Sequence, residues 1–165
     1  MEKITKTGNQ IAEQMERWFL GYHMKEKSAF NGREPFTFFN HLYFEKQNEL
    51  IRHMLLNERE IPVLVLVLEK NEFIINTTER FIKTGDHEPE SLYYSAFSHH
   101  KGYRSIAVED HTSVGIKTDG YFAPFGLARK DGTIIYWNIP TGQPGFAFWN
   151  VTKKFEIIGR RYSQV

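Results

Sequence analysis

The spacing of hydrophobic and polar positions changes character twice along the chain. In the first third, Ile11, Met15, Trp18, Phe19 and Tyr22 recur three and four residues apart, which is the signature of one helix face. That stripe ends before Ala29-Phe30-Asn31-Gly32-Arg33-Glu34-Pro35, where Asn-Gly and Pro mark a loop. Helical spacing is expected to resume at about Phe38, with Phe39, Leu42, Leu50, Met54 and Leu55 on one side and Tyr43 and Phe44 widening that face.

From Pro62 the period shortens. Val63-Leu64-Val65-Leu66-Val67-Leu68 is too short for a buried helix and rich in β-branched residues, so it predicts a strand covered on both faces. Lys70-Asn71 predicts a turn into a hairpin partner over 72–76, and a third strand follows over 80–83. Further strands are expected over 92–97, 103–108, 113–117, 121–128 and 133–138. Asp119-Gly120 and Asp131-Gly132 stand among them as hairpin signals. Beyond Pro140-Thr141-Gly142-Gln143-Pro144, Phe148, Val151, Phe155 and Ile158 restore the helical step. They predict a helix over about 144–158 that ends at Gly159 and caps an open barrel end.

This order predicts an α+β fold: an antiparallel β-sheet or half-open barrel with a C-terminal capping helix, preceded by an N-terminal helical extension. The expected division is 1–59 for the extension and 60–165 for the β-module. The apolar strand 63–68, followed by Phe73-Ile74-Ile75-Asn76-Thr77-Thr78-Glu79-Arg80-Phe81-Ile82, resembles the opening of bacterial PH-like domains of the pleckstrin-homology superfold. Thr77 and Arg80 keep that family's hairpin spacing, while Thr78 stands where it usually has Asn. Leu92-Tyr93-Tyr94-Ser95-Ala96-Phe97 matches its aromatic-rich next strand. The resemblance spans about residues 60–160 and departs from the family over 99–111 and in an added strand around 121–128. It implies a binding or assembly module without enzyme activity, and some members of the family associate with membranes or form oligomers.

Composition narrows the chemistry. Aromatic residues make up 15% of the chain, enough large rings to build a core in 165 residues. A net charge of +1 supplies no global field for nucleic acid, which is not expected as a partner. The absence of cysteine excludes disulfides, thiolate metal sites and cysteine nucleophiles. The polar start, Met1-Glu2-Lys3-Ile4-Thr5-Lys6, and apolar runs far below the ~20 residues of a membrane helix predict a cytoplasmic protein of bacterial or phage type.

Candidate sites are few. His99, His100 and His111, with Glu109 and Asp110, form the densest group of polar ligands, but adjacent histidines on a strand face opposite ways, so no metal site is expected. His111-Thr112-Ser113 is half of a two-histidine phosphoesterase signature and has no second copy. Ser95 or Ser98 with these histidines and Asp110 lacks a nucleophile elbow. No catalytic residue and no cofactor is assigned. Lys153, Lys154, Arg160 and Arg161 form a basic patch that suits the end of a helix. Tyr121, Phe125, Trp137 and Trp149 are the candidate ligand-binding rings, with core packing as their commoner meaning. The leading expectation is therefore a non-enzymatic module that binds a protein partner or associates with itself. The alternatives are binding of a small phosphorylated or lipid-like molecule, and a hydrolase built on the His99, His100 and His111 region.

Overall fold

The structure, a computed structural model, describes residues 2–104 and 115–165. In chain order the elements are β1 (Ile4–Lys6), α1 (Gly8–His23), β2 (Phe36–Phe38), α2 (Phe44–Met54), β3 (Pro62–Val67), β4 (Phe73–Thr77), β5 (Arg80–Thr84), β6 (Glu90–Tyr93), β7 (Phe97–Tyr103), β8 (Phe122–Arg129), β9 (Ile134–Pro140), α3 (Gln143–Thr152), α4 (Glu156–Arg161) and β10 (Tyr162–Gln164). The fold is mixed α+β. One antiparallel sheet runs β2-β3-β4-β5-β6 and a second runs β7-β8-β9, while β1 and β10 form a separate parallel pair. The described residues form no closed barrel. Among them no helix is long and apolar enough to cross a membrane.

β3 is covered on both faces over 63–66, as its unbroken apolar run predicts, but Val67 at its end is exposed. Val63, Leu64 and Leu66 join the main core, and Val65 joins a second cluster on the opposite face. Successive side chains of a strand point to opposite faces, so one apolar run serves two layers. β5 divides in the same way, with Phe81 in the main core and Ile82 in the second cluster. The main core also takes Ile11, Met15 and Phe19 from α1, Phe125 and Leu127 from β8, and Phe148 and Val151 from α3. The second is roofed by Leu50 and Met54 of α2 together with Phe39 from the turn before it, with Leu42 and Leu56 at its margin.

Local chemistry sets the element ends. Thr7 and Gln10 form a reciprocal capping box, with Gln10 N donating to Thr7 Oγ1 (3.2 Å) and Thr7 N donating to Gln10 Oε1 (2.9 Å). Lys70 and Asn71 both have positive φ (53° and 59°), the two-residue turn whose twist suits a hairpin. Asp131-Gly132 also closes its hairpin, with Gly132 at φ 91° between β8 and β9.

Several expectations are corrected. Helix does not resume at Phe38. Phe36 and Phe38 alternate with Thr37 in β2, which pairs antiparallel with β3, and α2 begins only at Phe44. The first 59 residues thus contribute an edge strand and a helix to the shared core. The strand expected over 92–97 is broken after Tyr93 by a turn, in which Ala96 N donates to Tyr93 O (2.9 Å) and Phe97 N to Tyr94 O (3.2 Å). Of the strands expected over 103–108 and 113–117, most of the first and the start of the second lie outside the described residues. Residues 115–117 form a turn instead. Asp119-Gly120 joins no two described strands; the Asp119 carboxylate accepts from Gln143 N (2.8 Å) at the start of α3. The final helix is divided by a tighter turn over Lys153–Phe155 and runs on to Arg161. Gly159 lies inside it, because a Cβ there would come within 2.2 Å of the Tyr94 backbone.

Candidate functional site

Over the second face of the five-stranded sheet, the covering helix leaves apolar side chains of its own exposed. Leu50 and Met54 lie one turn apart on α2 and bury themselves on Val65, Phe73, Ile75 and Ile82. The helix has a second apolar line. Phe44 is 74% exposed, Ile51 40% and Leu55 71%, with Tyr43 at 70% beside them. Tyr43, Phe44 and Leu55 therefore do not widen the buried face of α2, as their sequence position suggests. Phe44 and Ile51 stand on another side of the helix, because they lie seven residues apart and out of phase with Leu50 and Met54, while Tyr43 and Leu55 are the caps outside it.

Leu55 marks the end of that line and is held in an unusual way. It closes α2 in the left-handed region (φ 52°, ψ 57°), a conformation that costs a side chain with a Cβ about 1–2 kcal/mol. Its carbonyl accepts from Arg80 Nη2 (3.0 Å). Arg80 in turn forks onto the carboxylate of Glu60 through Nε to Oε2 (2.8 Å) and Nη2 to Oε1 (3.0 Å), with side-chain exposures of 9% and 0%. Glu60 also accepts from Thr77 Oγ1 (2.5 Å) and Asn57 N (3.0 Å), and Arg80 Nη1 donates to Ser91 Oγ (2.9 Å). Burial works against the Arg80 charge, but Glu60 overrides it and raises the guanidinium pKa. Thr77 Oγ1 accepts from Glu79 N (3.1 Å) and Arg80 N (3.0 Å), so the Thr77–Arg80 spacing builds the β4–β5 hairpin and its ion pair together. Burial, and then the Glu60 charge, raise the nearby Glu79 carboxyl.

The four aromatic candidates do not form one site. Phe125 and Trp137 are buried in the main core. Trp149 is half-buried; it packs edge-on to Phe125 (centroids 5.2 Å apart) and stacks near Phe146 (6.4 Å). A Cβ on Gly102 would lie 2.7 Å from its ring, so the indole fills the space that glycine leaves. Only Tyr121, 48% exposed, lines an opening. This is a groove of about 290 Å³ where the start of β8 meets the ends of β3 and β9 and the start of α3, walled by Pro35, Val67, Phe122, Pro140 and Pro144 with Arg33 at the margin.

The histidines also separate. His99 is exposed and shares a 2.9 Å hydrogen bond between Nδ1 and Ser98 Oγ. The ring of His100 turns inward among Phe81, Phe97, Phe125 and Phe148. Thr152 Oγ1 donates to Phe148 O (2.7 Å), so His100 Nε2–H must be the donor in its 2.8 Å contact with Thr152 Oγ1. Nδ1 is then enclosed without a partner, and burial, then the neighbouring His99 charge, push the pKa down to about 3. The third histidine, His111, with Glu109 and Asp110, lies outside the described residues. Among the described residues no three His, Asp or Glu converge on a metal position.

Lys153, Lys154, Arg160 and Arg161 are all exposed around α4. Arg160 is engaged by both oxygens of Glu156 (2.9 Å each), and Lys153 donates to Asn150 Oδ1 (3.2 Å). The patch is thus partly neutralised within its own helical segment. No family model, curated protein or solved structure matches the chain.

Proposed function

We propose that the chain is a non-enzymatic interaction module of pleckstrin-homology-like type that docks onto a protein surface through the outward side of α2. The observation that carries this reading is the line of Phe44, Ile51 and Leu55 on a helix whose other apolar side is already buried. Large apolar side chains grouped on a surface mark sites of association more often than scattered ones do. Leu55 adds weight, since a strained backbone held by a buried ion pair keeps an exposed leucine in place. The Thr77–Arg80 hairpin and the sequence of antiparallel strands followed by helix support the family part of the reading.

A photo-crosslinking residue at position 44, in the full chain within its source cells, tests this. One discrete protein adduct is expected, and labelling no stronger than at an exposed polar position such as Glu58 overturns it. A second reading, a small apolar anion in the Tyr121 groove, is favoured by apolar walls with Arg33 beside them. A thermal-shift panel of lipids, head groups and nucleotides that leaves the melting curve unmoved overturns that one.

A further inference from the structure

The α2 surface carries more than apolarity. Phe44, Asn48 and Ile51 follow steps of four and three on α2, the spacing of the inner positions of a helix pair; Leu55 caps the helix, and all four are exposed. Glu45 and Arg52 lie seven residues apart along one flank of that line, and both are exposed. No ion pair engages either of them among the described residues, whereas Lys46, on the sheet side, contacts Glu49 and the Phe73 ring. A twofold axis perpendicular to two antiparallel helices returns each flank onto itself with its direction reversed. A helix acidic at one end of a flank and basic at the other is therefore its own complement.

Resting on the association reading above, we propose that the occupant of this surface is a second copy of the chain, with α2 packed antiparallel against α2 across a twofold axis near Asn48. Glu45 of each copy then faces Arg52 of the other, at both ends of the seam. Phe44 of each copy fills the space beside the other's Ile51 and Leu55, and the two Asn48 side chains meet at the centre. A polar asparagine in an otherwise apolar seam sets register and pair number at some expense in strength. An 11-residue helix is too short to be stable as a free peptide, but Leu50 and Met54 already fix this one to the sheet. The seam brings together one exposed aromatic ring and two aliphatic side chains per copy, on the order of 700 Å² in total. This is the low end of specific interfaces, so the pair is reversible.

The test is sedimentation equilibrium of the full chain with single charge reversals. Wild type is expected to form a concentration-dependent dimer. Glu45→Arg and Arg52→Glu each place like charges at both ends of the seam, and each is expected to weaken the dimer about tenfold or more. Mixed in equal amounts, the two variants regain complementary charges at both ends and form a heterodimer within about threefold of wild-type strength. Each reversal opposes the dipole at one end of α2, so each monomer is expected to lose no more than about 1 kcal/mol on denaturation, which serves as the folding control. A wild type that stays monomeric, or a dimer indifferent to both reversals, overturns the self-pairing. If the crosslinker at position 44 then captures a different protein, the association reading stands without self-pairing; if it captures nothing, both fall.

Discussion

The two faces of the five-stranded sheet are built from alternate residues of the same strands, yet they are finished very differently. One face is covered by α1, α3 and a second sheet, with aromatic rings meeting edge to face throughout, as Phe81 does with Tyr94 and Phe97 (5.3 and 5.2 Å). The other is covered by α2 and Phe39; α2 buries Leu50 and Met54 and presents Phe44 and Ile51 outward, with Leu55 exposed at its cap. The first layer leaves exposed rings only at its rim, as at Tyr121 and Tyr136 among the described residues, whereas the second ends in the exposed line on α2. Buried aromatic packing is concentrated on the first side and an exposed apolar line on the second.

Replacing a central ring on the thick side should have the largest effect. Phe148→Ala leaves a cavity that neighbouring rings cannot fill, and should lower unfolding free energy by about 3–5 kcal/mol in urea titration. Leu50→Ala on the thin side should cost about 2–3 kcal/mol in the same assay, because a single helix can settle toward the sheet. An equal or greater loss at Leu50 would break the contrast.

Acid should act first on the thick side. The folded state holds His100 neutral down to about pH 3, while the unfolded chain takes up its proton below about 6.5. This contribution is therefore intact above pH 6.5 and is lost progressively as pH falls toward 3. The loss is about 1–2 kcal/mol by pH 5. His23, also lowered by burial, adds in the same direction, and His87, raised by the Glu88 carbonyl and Glu72, opposes it. Stability measured against pH for wild type and His100→Phe isolates the His100 part, and parallel curves would remove it.

The smallest effect sharpens the comparison most. Leu55→Gly should relieve the left-handed backbone and stabilise the monomer by about 1 kcal/mol or less, while weakening any contact made through α2. A gain in thermal stability together with weaker association is expected. A loss of both would place Leu55 in the core rather than on a contact surface.

Much of the thick side was legible in the sequence because its signals are local and long. The unbroken apolar run at 63–68, the Lys70-Asn71 turn and the step from Phe148 to Ile158 each declare an element without reference to anything distant. β2 escaped because three residues are too few to establish a period, and its Phe36 and Phe38 merge with Phe39 into a run that suits a helix equally well. The outward line on α2 escaped for the opposite reason. In the sequence Phe44 and Leu55 read with Leu50 and Met54 as one widened face, and only the direction of the sheet separates them and sets Ile51 apart from Leu50. The union of Glu60 with Arg80 depends on strand pairing across twenty residues, which no local pattern encodes. Trp137 and Phe125 resembled site residues because rings that fill a core and rings that line a pocket have the same composition.

The parallel pairing of β1 with β10 has a mechanical consequence. Ile4 lies opposite Tyr162 and Lys6 opposite Gln164, and Gln164 Nε2 also donates to Arg59 O (2.6 Å). Tension drawn through Ile4 and Gln164 would pull these parallel strands along their length in opposite directions. Their hydrogen bonds would then share the load together instead of opening one by one. Both sheets lie between the two strands in the chain and would carry little force until that shear clamp slipped.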